Sequence, residues 1–175
     1  SGLYEKKTIM AVNVTSRGNW VIAITLLLAL ILAILPLPSG IPAELGYLRP
    51  DWLALVIIYW TLALPDRIGL LTVFATGFIA DLVLGSLFGL HALSLVIASS
   101  FTSASYQQVR MLAVWQQAIL VAVMLSLVQL AVLVVILLLS QGSFSWLSFL
   151  IPLVSGLVWP WVFLGLRWLR RRFIN

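Results

Sequence analysis

Four residues carry the chemical interest of this chain: Arg49, Asp51, Asp81 and His91. A guanidinium, two carboxylates and an imidazole at one depth could relay a proton, seat a charged ligand, or tie helices together. The background makes them conspicuous, because 63% of the 175 residues are hydrophobic and only 9% are charged. A carboxylate at mid-membrane costs on the order of 3 kcal/mol, and less near an interface. Asp81 is therefore expected to face protein or water, with Arg49 and His91 as partners and Asp51 close by. The bland reading, that these groups hold three helices together, is preferred to a catalytic or ligand-binding one.

Other chemistry finds less support. The chain has no cysteine, which excludes disulfides, thiolate metal sites and Cys nucleophiles, and its single histidine cannot build a multi-His metal site. Ser, His and Asp are all present, but on no nucleophile elbow, and there is no Walker or HExxH pattern. No catalytic residue, metal set or cofactor site is assigned, and the expectation is a protein that is not an enzyme.

A second signal is packing. Gly69, Val73, Gly77, Asp81 and Gly85 recur every four residues and so share one helix face. Small residues on a face admit a second backbone, and packing rather than hydrophobicity drives helix association in lipid. The serines and alanines at Ser94, Ala98, Ser99, Ser100 and Ser103 suggest another close contact. Gln129, with Ser126 a turn earlier, is expected to make an interhelical hydrogen bond, and Pro160 predicts a kinked sixth helix.

The elements that position these residues are membrane spans. About 20 apolar residues cross the hydrocarbon, and candidate spans lie at 20–37, 50–64, 68–84, 87–105, 114–139 and 146–166. Trp20, Trp52, Trp115, Trp146 and Trp168 fall near their ends, as an interfacial belt requires. The charges test this segmentation independently. With both termini inside, nine of the ten Lys and Arg residues are cytoplasmic: Lys6, Lys7, Arg17, Arg67, Arg110, Arg167, Arg170, Arg171 and Arg172. Arg49 alone is outside. The net charge of +5 thus reads as topology and not as a nucleic-acid surface. The tail arginines could also attract anionic headgroups, although a topology anchor is the simpler role.

The fold class expected is an all-α integral membrane protein of about six transmembrane helices, N-in and C-in. Residues 1–18 form a cytoplasmic N-terminal segment, 19–166 the membrane domain and 167–175 a basic cytoplasmic tail. Ser1-Gly2 reads as a protease scar with Met10 as a natural start, so residues 1–9 are set aside. A cleaved signal peptide at 20–37 is disfavoured, because the apolar run is long and no A-x-A site follows.

Several short stretches resemble one known family. Arg49-Pro-Asp-Trp52, Ile58-Tyr-Trp60 and Ala63-Leu-Pro65 are similar to the second-helix region of the rod shape-determining protein MreD family. Gly77-Phe-Ile-Ala-Asp81-Leu and Gly85-Ser-Leu-Phe-Gly89-Leu-His-Ala-Leu93 resemble its third-helix motif. Leu112-Ala-Val-Trp115-Gln-Gln-Ala118 and Gly156-Leu-Val-Trp159-Pro-Trp161 resemble the fifth and sixth helices of its proteobacterial members. The resemblance covers roughly residues 19–173. It implies the bacterial inner membrane and the cell-elongation machinery, or elongasome. Its implied partners are MreC directly, with MreB, RodA and the elongation-specific class B penicillin-binding transpeptidase as complex members. A fold similar to the six-helix substrate-binding subunits of energy-coupling-factor transporters is also implied. Some members carry an acidic residue in the fifth helix where this chain has Gln129, so a role resting on charge there does not carry over.

The resulting expectation is a non-enzymatic membrane scaffold that docks MreC and supports peptidoglycan synthesis and cell shape. Its candidate docking and packing residues are Arg49, Asp51, Gly69, Gly77, Asp81, Gly85, Gly89 and His91. The rival is a membrane protein that binds a small molecule or lipid headgroup in a pocket beneath the outer loops.

Overall fold

The computed structural model describes residues 2–6, 18–36, 38–86, 89–139 and 145–174. Lys7, Met10 and Arg17, and the first residues of the predicted span 87–105, lie outside them. The core helices are α1 (Asn19–Ile34), α2 (Trp52–Ala63), α3 (Leu70–Leu84), α4 (Leu90–Arg110), α5 (Val114–Leu138) and α6 (Leu150–Phe173). Short 3₁₀ turns at Ala43–Leu48 and Trp146–Phe149 precede α2 and α6. No strand occurs among the described residues.

Burial explains the arrangement. Every residue from 53 to 62 is buried, so α2 is the axis of the bundle, enclosed chiefly by α1, α4 and α6. The other five helices turn large apolar side chains outward. On α3 alone these include Leu70, Leu71, Phe74, Phe78, Ile79 and Leu82. Left in water, six such groups would forgo on the order of 10 kcal/mol of burial, comparable to the whole stability of a domain, about 5–15 kcal/mol. Hydrocarbon removes that cost. Trp20, Trp115, Trp146 and Trp168 are exposed near helix ends, whereas Trp60 and Trp159 are fully buried.

Helix lengths differ from the predicted spans at identifiable places. α5, together with the unit formed by Trp146–Phe149 and α6, is long and apolar enough to cross a membrane unaided. α1 and α3 are apolar but have 16 and 15 residues, about 24 and 22 Å at 1.5 Å per residue. α4 continues to Arg110, past the predicted end at 105, because nothing in 106–110 breaks a helix. α6 likewise runs on through Pro160 and through Arg167 to Arg172, so the basic stretch is helical.

Hydrogen bonds between distant residues tie α2 into its surroundings. Trp60 Nε1 donates to Thr25 Oγ1 on α1 at 2.9 Å, and the Asp51 amide donates to Ser155 Oγ on α6 at 2.9 Å. Thr61 and Ser99 pair α2 with α4 at 3.5 Å. The last carbonyls of a helix lack intrahelical donors. Arg110 supplies two of them, its Nε reaching Leu62 O at 2.5 Å and its Nη2 reaching Ala63 O at 2.7 Å. A residue expected to set topology is therefore also a helix cap.

Gln117 is nearly inaccessible and joins three elements. Its Nε2 donates to Val109 O at 3.0 Å and Leu112 O at 3.3 Å, and its Oε1 accepts from Trp159 Nε1 at 3.3 Å. Gln117→Leu is expected to cost about 1–3 kcal/mol, the penalty for stranding buried polar groups. Adding Trp159→Phe, which removes the orphaned N–H, should cost less than the sum of the two single changes when thermal unfolding is followed in detergent.

Candidate functional site

The α3–α4 corner is built by glycines and one carboxylate. Gly85 ends α3 in the left-handed region (φ 65°), and the Ser86 amide bonds back to Asp81 O at 3.2 Å, a Schellman-type ending. Gly89, also left-handed (φ 92°), is the N-cap of α4. Gly77 lies where α4 crosses: a Cβ there would strike Ala92 Cα and lie 2.7 Å from Ala92 N, so the two backbones touch. Of the four-residue repeat, Val73, Gly77 and Asp81 are buried, while Gly69 and Gly85 flank the helix as exposed caps.

That close approach puts the Asp81 carboxylate under the start of α4. Oδ2 accepts from the Gly89 amide at 2.8 Å, and Oδ1 accepts from the His91 amide at 3.0 Å. Oδ1 also meets His91 Nδ1 at 2.8 Å and accepts from Ser86 Oγ at 2.9 Å. Asp81 is thus a long-range N-cap for α4, placed at the positive end of its dipole. The carboxylate requires a proton on His91 Nδ1, which fixes the tautomer of the neutral ring. Asp81 is 1% exposed, while the His91 side chain is 36% exposed.

The predicted foursome is only partly brought together. Asp81 and His91 are hydrogen-bonded to each other at 2.8 Å. Arg49 instead donates to Leu32 O at the end of α1, and the Asp51 side chain caps its own helix by accepting from Ala54 N at 3.2 Å. Arg49, Asp51 and His91 do share the wall of a cavity of about 330 Å³ with Ser86, Ser94 and Gln129. Gln129 reaches Ser148 Oγ at 3.3 Å on the turn before α6, whereas Ser126 bonds back to Ala122 O within α5. Sequence reasoning missed Ser86, whose hydroxyl lies 3.1 Å from His91 Nδ1; its place in the Gly85–Gly89 turn was the available signal.

This geometry is not a catalytic triad. In a triad the carboxylate holds Nδ1 and the nucleophile faces Nε2. Here Asp81 and Ser86 both address Nδ1, so Ser86 does not face the nitrogen that would serve as its base. The arrangement serves to lock a corner.

A helix bundle with apolar residues outward on five helices and its polar groups turned onto one another is a membrane protein. The family model described as rod shape-determining protein MreD matches residues 15–169. The Rod shape-determining protein MreD of Haemophilus influenzae is 37% identical over 145 residues, covering 83% of this chain and 87% of that protein. No solved structure matches the chain. The chain belongs to the MreD family and takes part in rod shape determination.

Proposed function

We propose that this chain is a non-enzymatic scaffold of the bacterial inner membrane that docks MreC and, through it, supports peptidoglycan synthesis by the elongation complex. MreB, RodA and the class B transpeptidase are the complex members this reading implies. The helices cross six times with both termini cytoplasmic, in a fold like the substrate-binding subunits of energy-coupling-factor transporters. The observation that carries the non-enzymatic reading is the Asp81–Ser86–His91 corner, whose polar groups are directed at holding α3 against α4.

The docking surface follows from what that corner leaves available. The buried Gly77 face of α3 is occupied by α4, so the partner's helix lies on the exposed flank beside it, where Phe74 and Phe78 stack at 6.3 Å. The adjoining segment of the partner meets the polar rim of Arg49, Asp51 and His91, which sets register. Photo-crosslinkers at positions 49, 74 and 78 are expected to capture MreC in membranes. Capture only from exposed α5 and α6 positions such as 119 and 157 would overturn the placement.

The polar lining of the 330 Å³ cavity favours one alternative, a small-molecule or lipid-headgroup site. A solute that raises the melting temperature of the purified protein, with the effect lost in Arg49→Gln, would support it over docking.

A further inference from the structure

At the other end of the bundle, where the arginines collect, lies a separate cavity of about 500 Å³. Arg110 enters its wall from α4, and Arg167 and Arg170 enter from α6, three residues apart and hence on one face. No acidic residue lines it, and none of the three arginines has an ion-pair partner among the described residues. Arg110 has two of its five N–H donors committed to the end of α2, which leaves three. Arg167 has no hydrogen-bond partner among the described residues.

Two buried polar groups in this wall are unsatisfied: the Tyr59 hydroxyl and Arg170 Nε. Tyr59 is 2% exposed, and edge-on contacts with Trp60 and Phe163, at 5.2 and 5.7 Å between ring centroids, hold its ring in place. A buried donor without an acceptor costs about 1–3 kcal/mol, and native structures rarely retain one without a reason. The charged groups here, three guanidiniums, are donors only, and the phenol can donate as well. Their complement is an acceptor-rich anion. Guanidinium forks match the paired oxygens of phosphate, and three of them suit a tetrahedral group better than a flat carboxylate.

We propose that this cavity is a binding site for a phosphate group, held by Arg110, Arg167, Arg170 and the Tyr59 hydroxyl. The lipid leaflet at this end of the bundle is the nearest source. Leu64 and Phe163 in the same wall offer apolar surface to the first carbons of a phospholipid, and a soluble phosphate ester shares the recognition chemistry.

Native mass spectrometry of the full-length protein in detergent tests this, with phosphatidylglycerol and phosphatidylcholine of equal chain length as probes. Phosphatidylglycerol adducts should be retained about tenfold more than phosphatidylcholine adducts, because the choline cation offsets the phosphate charge and is repelled by the three arginines. The Arg167→Gln/Arg170→Gln pair should abolish the difference. Arg171→Gln/Arg172→Gln, which removes the same charge outside the cavity, should keep it within about twofold. Tyr59→Phe leaves every charge in place and should lower retention several-fold, which keeps the proposal testable if the arginine pair fails to insert. Inorganic phosphate that displaces the lipid and raises the melting temperature to the same extent would identify a soluble source for the same site. Equal losses in the two arginine pairs, or equal retention of the two lipids, would overturn the proposal.

Discussion

Asp81→Ala is expected to destabilise the protein by between about 2 and about 5 kcal/mol. The lower figure takes four hydrogen bonds at the average of about 0.6 kcal/mol measured between membrane helices. The upper one counts the Gly89 and His91 amides left without an acceptor, at about 2.5 kcal/mol each, within the range for stranded buried groups. Both apply, because the carboxylate serves the Gly89 and His91 amides as well as two side chains. Asp81→Asn separates the contributions. Ser86 and His91 can rotate a hydroxyl or exchange a tautomer to suit an amide, but the two backbone N–H groups cannot. One of them must then face the NH₂ group, at a cost of about 1–3 kcal/mol. Ser86→Ala should cost less than either, since Oδ1 keeps its two bonds to His91. Thermal unfolding in detergent would give this order, Ala above Asn above the Ser86 change. If Asp81→Asn left folding and MreC capture both unchanged, the corner would have neither a structural nor a docking role.

Much of the bundle was legible in the sequence, for reasons that also mark where legibility stops. Apolar stretches separated by Pro, Gly or charge mark the six core helices, and a boundary is legible where local chemistry sets it, as at Gly85 and Gly89. The pairing of Asp81 with His91 could be read because they stand ten residues apart across one turn. Arg49 could not be placed in the same way. Its carbonyl partner on Leu32 lies 17 residues earlier, and a backbone acceptor has no signature in residue type. Arg110 is similar: its charge suggests a place at the membrane interface, but its bonds to the end of α2 depend on where that helix stops in space. Gln117 and Trp159, 42 residues apart, meet only because α5 and α6 pack together. The small-residue row on α3 was visible as a face, but periodicity cannot say whether α4 or another protein covers it. The Gly77–Ala92 contact assigns its buried part to α4.

That contact makes Gly77 the position with the least tolerance for an added methyl group. In an isolated helix Gly→Ala is favourable by about 0.8–1 kcal/mol, so propensity alone predicts stabilisation. The structure predicts the reverse. The new Cβ would meet Ala92 Cα, Ala92 N at 2.7 Å and His91 C at 3.0 Å, all of them backbone atoms. Backbone cannot rotate away, so α4 would have to shift as a unit, and the His91 amide would move with it from its 3.0 Å bond to Asp81. Overpacking costs about 1–3 kcal/mol, which exceeds the propensity gain once the carboxylate bonds lengthen. Gly77→Ala should therefore lower the melting temperature, and Gly77→Leu should prevent stable folding. Gly156 supplies the control. Its added Cβ would lie 2.6 Å from the Ala122 Cβ and 3.0 Å from Ala118 O, so one offending atom belongs to a side chain that can be deleted. Ala122→Gly should partly rescue Gly156→Ala, whereas Ala92→Gly should not rescue Gly77→Ala, because the atoms in the way there remain after the methyl is gone. Double-mutant cycles on thermal stability would measure both couplings. Rescue of Gly77→Ala by Ala92→Gly would mean that α3 and α4 meet through side chains, and that the Asp81 cap does not depend on contact between their backbones.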